Sequence, residues 1–327
     1  MSKYIISHSL SRVPTPMAGL ALGIASLGVC LQSLGVYHVI QYIAATIAAI
    51  MLISIFAKFI HHHHLLKQDL AHPVIGSVVP TSAMALMVVS AAVREFQYAT
   101  GVTLWLIAIA LHLVFLTAFV IHRLRDFKIH HMVPSWFVPP VGIIVAAVTY
   151  PHHPDTHINL LFPLAETLLF FGIVAYAIML PMMLYRFMFE QQVVDAAKPS
   201  LAIMAAPASL SLAGYLTLFP TNPNPLVIAV LAGIAVLMTI LIYISLLHLL
   251  SLPFSPAFSA YTFPMVISST AMFKTAQWMQ SEPLLSVHAP VVHHFAIFEA
   301  LMAVVVVSYI GIRYFITFCQ HIGSLKQ

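Results

Sequence analysis

Ten stretches of about twenty apolar residues, set apart by short segments that hold nearly all of the charge, leave this chain few ways to fold. They run approximately over 13–34, 38–60, 73–93, 102–122, 134–150, 161–185, 199–219, 226–248, 255–278 and 291–318. A helix of about 20 apolar residues crosses a bilayer core. No water is present there to bond an exposed peptide group, so spanning segments must satisfy their own backbones. Charged residues make up 7% of the sequence and hydrophobic ones 61%, whereas a soluble domain carries about 25% charge. The sequence therefore predicts an all-α polytopic membrane protein, with residues 1–327 as one integral domain of ten transmembrane helices. The first stretch lacks the basic leader and cleavage site of a signal peptide.

The basic residues orient the chain. Lys3, Arg12, Lys58, Lys67, Arg123, Arg125, Lys128, Arg186, Lys198, Arg313 and Lys326 fall on the side of the N-terminus, and only Arg94 and Lys274 fall towards the other. That bias predicts cytoplasmic N- and C-termini. It also accounts for the net charge of +4 without any nucleic-acid partner. Two cysteines, Cys30 and Cys319, suggest neither a disulfide framework nor a metal site.

The odd-numbered stretches open with proline at Pro14, Pro73, Pro134, Pro199 and Pro256, which are 59, 61, 65 and 57 residues apart. One helical hairpin has about that length, so the chain reads as five hairpin repeats of the same orientation. Same-direction repeats argue against an inverted-repeat carrier. Odd stretches are rich in small and hydroxylated residues, and four carry a second, interior proline: Pro80, Pro139 with Pro140, Pro207 and Pro264. An interior proline removes a backbone bond and kinks a helix. Pro16, in the first stretch, comes too early for a mid-helix break. Even stretches such as 226–248 are apolar on every face, which suits lipid contact. The expected architecture is five kinked inner helices with quasi-five-fold symmetry around a central path, ringed by five straight outer helices.

The ninth stretch, 255–278, combines hydroxyls, small residues and a central proline. Phe263 precedes Pro264, with Thr262 and Ser268 nearby as candidate pore-lining groups. An aromatic ring at a kink can close a narrow pore, because apolar constrictions exclude water; packing between helices is the plainer alternative. Ionisable residues inside the stretches are few: Glu166, Glu299 and, near a helix end, Lys274. Lys274 either pairs with Glu299 across the last two helices or snorkels to the interface. Arg94 stands at a similar level, so Arg94 and Lys274 are candidates for a positive outer mouth. The run His61–His64 reads as a solvated loop cluster, His153 and His157 as loop residues, and His112 as an interhelical hydrogen-bonding group. Nothing here suggests a metal, a haem, another cofactor or an enzyme.

Several short motifs carry a resemblance. Pro14-Thr-Pro16-Met-Ala-Gly19, His72-Pro73 with Pro80-Thr81-Ser82, Lys198-Pro199-Ser200 with Ala206-Pro207-Ala208, and Tyr261-Thr262-Phe263-Pro264-Met265 occur in order. With them the chain resembles the tellurite-resistance/dicarboxylate transporter family, which includes bacterial TehA, fungal malate permeases and the slow-type anion channels of plant guard cells. The resemblance implies a homotrimer of five-hairpin protomers, each with its own pore, and Phe263 matches the family's gate. The expected function is an anion channel or channel-like uniporter of the bacterial inner membrane, passing small inorganic anions. The alternative is a carrier for C4-dicarboxylates such as malate, or for tellurite, with Glu166 or Glu299 as its titratable group. A third reading is a pH-sensing membrane protein built on His152, His153, His157 and His288.

Overall fold

The computed structural model describes residues 10–35, 38–152 and 160–324, and among these every regular element is a helix. Lys3, Lys326, His153 and His157 lie outside the described residues. Each of the ten apolar stretches coincides with a helix or with a run of short helices. Seven of these are long and apolar enough to cross a membrane: His38–His61, Ile75–Phe96, Tyr98–Arg125, Phe162–Phe189, Asp195–Leu218, Pro225–Leu250 and Ala289–Gln320. The other three are the shorter Met17–Gln32 and Pro134–Val148 and the hydroxyl-rich Thr262–Ser281.

Inner and outer helices differ as their sequences require. Two inner runs, Ile75–Phe96 and Asp195–Leu218, are 78% and 89% buried over their apolar cores, against 28% to 39% for the five outer helices. Each inner segment packs on the next, and the fifth packs on the first, so the five close into a ring. Each outer helix lies against the inner segment of its own hairpin. Its remaining apolar surface, as at Ile53, Val114, Val174, Ile244 and Val305, stays exposed. Outer helices are uninterrupted, but the one at Phe162–Phe189 has Pro181 inside it, an outer-helix proline that the division into kinked and straight helices does not anticipate.

The interior prolines do not kink continuous helices. They mark where a tighter or irregular segment becomes an α-helix. Pro80 caps Thr81–Phe96, and Pro139 and Pro140 stand in the short helix Val138–Val141. Pro207 is in the first turn of Ala206–Leu218, after the eleven-residue 3-10 helix Asp195–Ala205. Pro264 is in the first turn of Thr262–Ser281, after the 3-10 helix Pro256–Tyr261. At a first turn the missing proline N–H costs nothing, since that donor has no intrahelical partner. Pro16 caps Met17–Gln32 in the same way, so it belongs with the other four.

Carbonyls near these breaks are served by side chains. Thr81 and Ser82 hydroxyls donate to Val78 and Val79, and Ser209 and Ser211 to Ala205 and Pro207. His112, fully buried in the second outer helix, uses Nε2 to bond the Pro139 carbonyl at 2.8 Å. A second repeat emerges at the other end of each hairpin. Lys58, Arg123, Arg186, His248 and Arg313 recur near the ends of the five outer helices. Lys58 bonds Thr15, which also bonds Asp69; Arg123 bonds the Ala71 carbonyl; Arg186 bonds those of His130, Met132 and Gln191. Arg313 stacks over Phe254 at 4.8 Å. Four of these bases thus hold the chain just before it enters their own hairpin's inner segment. Lys58, Arg123 and Arg186 are buried, so they act as structural clasps. The histidine run is not a loop: His61 ends one helix, and His63 begins the short helix His63–Ala71.

Candidate functional site

Two cavities lie inside the ring. The larger, about 450 Å³, is lined by residues of all five inner segments or the chain entering them, including Pro16, Gly19, Val78, Thr81, Val138, Gly142, Ile203, Pro207, Ala260 and Pro264. It lies at the near end, where the inner segments begin. Among the described residues no Lys, Arg, Asp or Glu lines it. The smaller, about 160 Å³, is lined by residues further along the same segments, among them Ser26, Gln32, Val88, Arg94, Val148, Thr149, Ile267 and Thr270, with Gln41 from the first outer helix. Phe263 and Leu210 are the two residues common to both linings. Phe263 is 7% and Leu210 2% exposed, so both side chains are buried where the two linings meet.

Phe263 owes its position to a close approach of the first and fifth inner helices. Gly19 and Gly23 form a Gly-x-x-x-Gly face, which lets helix backbones come together. A Cβ at Gly23 would lie 2.4 Å from Thr262 Cβ and Oγ1, and one at Gly19 would lie 3.1 Å from Ser259 Oγ. Through the gap, Thr262 Oγ1 donates to the Gly19 carbonyl at 3.0 Å and to that of Ser259 at 2.7 Å. Thr262 therefore faces the first helix and lines neither cavity.

Other candidates from the sequence sit as follows. Pro207 and Pro264 line the larger cavity; Pro80, Pro139 and Pro140 line neither. Ser268 also lines neither: its hydroxyl bonds Glu299 Oε1 at 2.6 Å and Thr239 Oγ1 at 2.9 Å, tying the ninth helix to the eighth and tenth. Its polar edge turns outward because a carboxyl group there needs a donor. Glu299 is fully buried, its Oε2 has no partner, and no Lys274–Glu299 ion pair forms among the described residues. Glu166, partly exposed near the start of its helix, lines neither cavity. Arg94 Nη1 donates to the Thr149 carbonyl at 3.0 Å, at the rim of the smaller cavity.

His152 stands close enough to Arg94 and Lys274 to feel both charges. Its ring is held below the usual histidine range, first by partial burial and then by those two cations, against a bond to the Thr217 carbonyl. Arg94, Lys274 and His152 thus stand near one another at the far end, and the two cations disfavour the charged form of the imidazole. Leu210, Ser26 and Gln41 were not singled out by sequence, whereas His152 was, as one of four candidate pH-sensing histidines. Leu210 is one of many leucines, and its distinction arises only from the helix facing it. Among the described residues no three His, Cys, Asp or Glu side chains gather to hold a metal ion.

Comparison with known proteins finds related chains. Two proteins of Methanocaldococcus jannaschii, named uncharacterized transporters MJ0576 and MJ0762, are similar to the chain. The first is 26% identical over 227 residues, covering 63% of this chain and 65% of the relative. The second is 25% identical over 215 residues, covering 60% and 63%. The matched region thus spans slightly less than two thirds of either relative. The sequence profile described as voltage-dependent anion channel matches residues 12–315, through all ten helical segments. The chain belongs to the voltage-dependent anion channel family.

Proposed function

We propose that the chain is a passive channel for small anions, with all ten helical segments in the bilayer and the ion path inside the inner ring. Phe263, backed by Leu210, occludes that path. The observation that carries this reading is their shared place in the walls of both cavities. An apolar constriction of this kind blocks ions by excluding water. Helices Met17–Gln32, Thr81–Phe96, Ala206–Leu218 and Thr262–Ser281 all begin beside the larger cavity. Their N-terminal dipole ends favour negative charge there without a basic side chain. Arg94 and Lys274 would supply the positive outer mouth. In this reading both termini and the larger cavity face the cytoplasm of a bacterial cell, and three protomers assemble, each with its own path.

Bilayer recording of wild type and Phe263→Ala in asymmetric chloride, nitrate and malate tests the reading. Large passive currents in the variant, reversing with the anion gradient, are expected; a folded but silent variant overturns it. A second reading has one observation in its favour. Buried Glu299, with a free carboxyl oxygen and no countercharge among the described residues, is a group that a proton-coupled carrier of C4-dicarboxylates or tellurite would use. Saturable malate uptake accelerated by a pH gradient would favour it.

A further inference from the structure

Polar groups in the inner segments mostly spend their hydrogen bonds on the backbone. Ser209, Ser211 and Thr270 each donate to a carbonyl one turn back. The smaller cavity is different. Ser26 lines it and is 92% buried by its 8% exposure, yet its Oγ has no protein partner. A buried hydroxyl left unpaired is costly; such a group is expected to meet something the protein does not itself supply. Gln41, 3% exposed, accepts from Gln32 through Oε1 and gives its own Nε2 to no protein acceptor among the described residues. Arg94 gives Nη1 to Thr149 and has no ion pair among the described residues. Its neighbour Glu95 also lines the cavity, but its Oε2 is engaged by the Tyr42 hydroxyl at 3.0 Å and by His38 at 3.4 Å.

We infer that the smaller cavity is a discrete binding site for one small monovalent anion, held by the Arg94 guanidinium, the Ser26 hydroxyl and the Gln41 amide. All three are donors, and the space, about 160 Å³, far exceeds the ~10–15 Å³ that admits one water. A partly hydrated ion fits. One guanidinium balances one negative charge. A C4-dicarboxylate would bring a second charge towards Glu95 on one side or the apolar Phe263–Leu210 wall on the other. The site stands directly beyond that wall, so a bound ion waits next to the constriction. This inference deepens the channel reading and rests on it for its role in conduction, but ion binding itself is separable.

The test is thermal unfolding of purified full-length protein in detergent, titrated with nitrate at constant ionic strength. Wild type should be stabilised saturably. Arg94→Gln should weaken the apparent affinity about tenfold or more and Ser26→Ala a few-fold, as expected for losing a charged and a neutral donor. Arg125→Gln, an exposed near-side change, should leave it unaltered, and malate should stabilise less than nitrate. If Arg94→Gln does not fold, Ser26→Ala and Gln41→Leu carry the same comparison. Unchanged nitrate affinity in the cavity variants, or malate as effective as nitrate, overturns the site. Because closed wild-type protein is titrated, this failure is distinct from a silent Phe263→Ala channel.

Discussion

Phe263 and Leu210, on neighbouring inner helices, are the two side chains that border both cavities. Phe263 comes one residue before the proline of its helix, and Leu210 three residues after the proline of its own. Truncating either should thin the wall. Leu210→Ala alone should give a smaller leak than Phe263→Ala, and the double variant a larger one than either, by bilayer recording in symmetric nitrate. Equal closure in the Leu210 variant would leave Phe263 as the whole barrier.

The Gly23–Thr262 approach brings the backbone at Phe263 against the first inner helix. Gly23→Ala forces a methyl into Thr262, and overpacking of this kind costs about 1–3 kcal/mol. A lowered thermal midpoint is expected. Thr262→Val keeps the volume but loses the bond to Gly19. It should cost less, about 0.6 kcal/mol. Midpoints of the two variants in the same detergent check the order.

His112 supports the break at Pro139 from a distance of 27 residues in sequence. His112→Leu removes the donor to that carbonyl and should lower stability by about 1 kcal/mol. Loss of protection at neighbouring amides of residues 142–145, read by hydrogen exchange, separates a loosened break from general unfolding.

Glu299 distinguishes the two functional readings. Glu299→Gln keeps a partner for Ser268 and adds a donor, so the fold should persist. A passive channel in the Phe263→Ala background should conduct as before. Loss of pH-driven uptake on the same substitution would instead identify Glu299 as the proton site of a carrier.

His152 predicts a pH dependence of stability. Its pKa is depressed in the folded chain, first by partial burial and then by Arg94 and Lys274, against about 6.5 when unfolded. Between the two values the unfolded chain binds more protons, so stability rises with pH across that window and is fully present above about 6.5. Acidification through the window removes it. Thermal midpoints measured on both sides of the window should show this slope in wild type and a shallower one in His152→Gln.

Much of the architecture was written in one dimension. The apolar stretches, the proline period and the contrast between small-residue and fully apolar segments depend on bilayer thickness and backbone bonding, and both act on local sequence. They determined the helical hairpins, the inner and outer sets and the interrupted inner helices. The prolines were legible as breaks but not as first-turn residues, because only the 3-10 segments before them show where each α-helix starts. Which way the hydroxyls and charges turn was decided by the tertiary structure. Ser268 and Thr262 read equally well as pore-lining groups, yet each faces a neighbouring helix, where Glu299 or the Gly19 carbonyl needs a donor. Lys58, Arg123 and Arg186 read as topology charges and fold into clasps, since carbonyls or hydroxyls from distant segments arrive beside them. A side chain's direction depends on the unmet bonds of segments far away in sequence, so the shared linings of Leu210 with Phe263, and of unpaired Ser26 with Arg94, come from the closed ring alone.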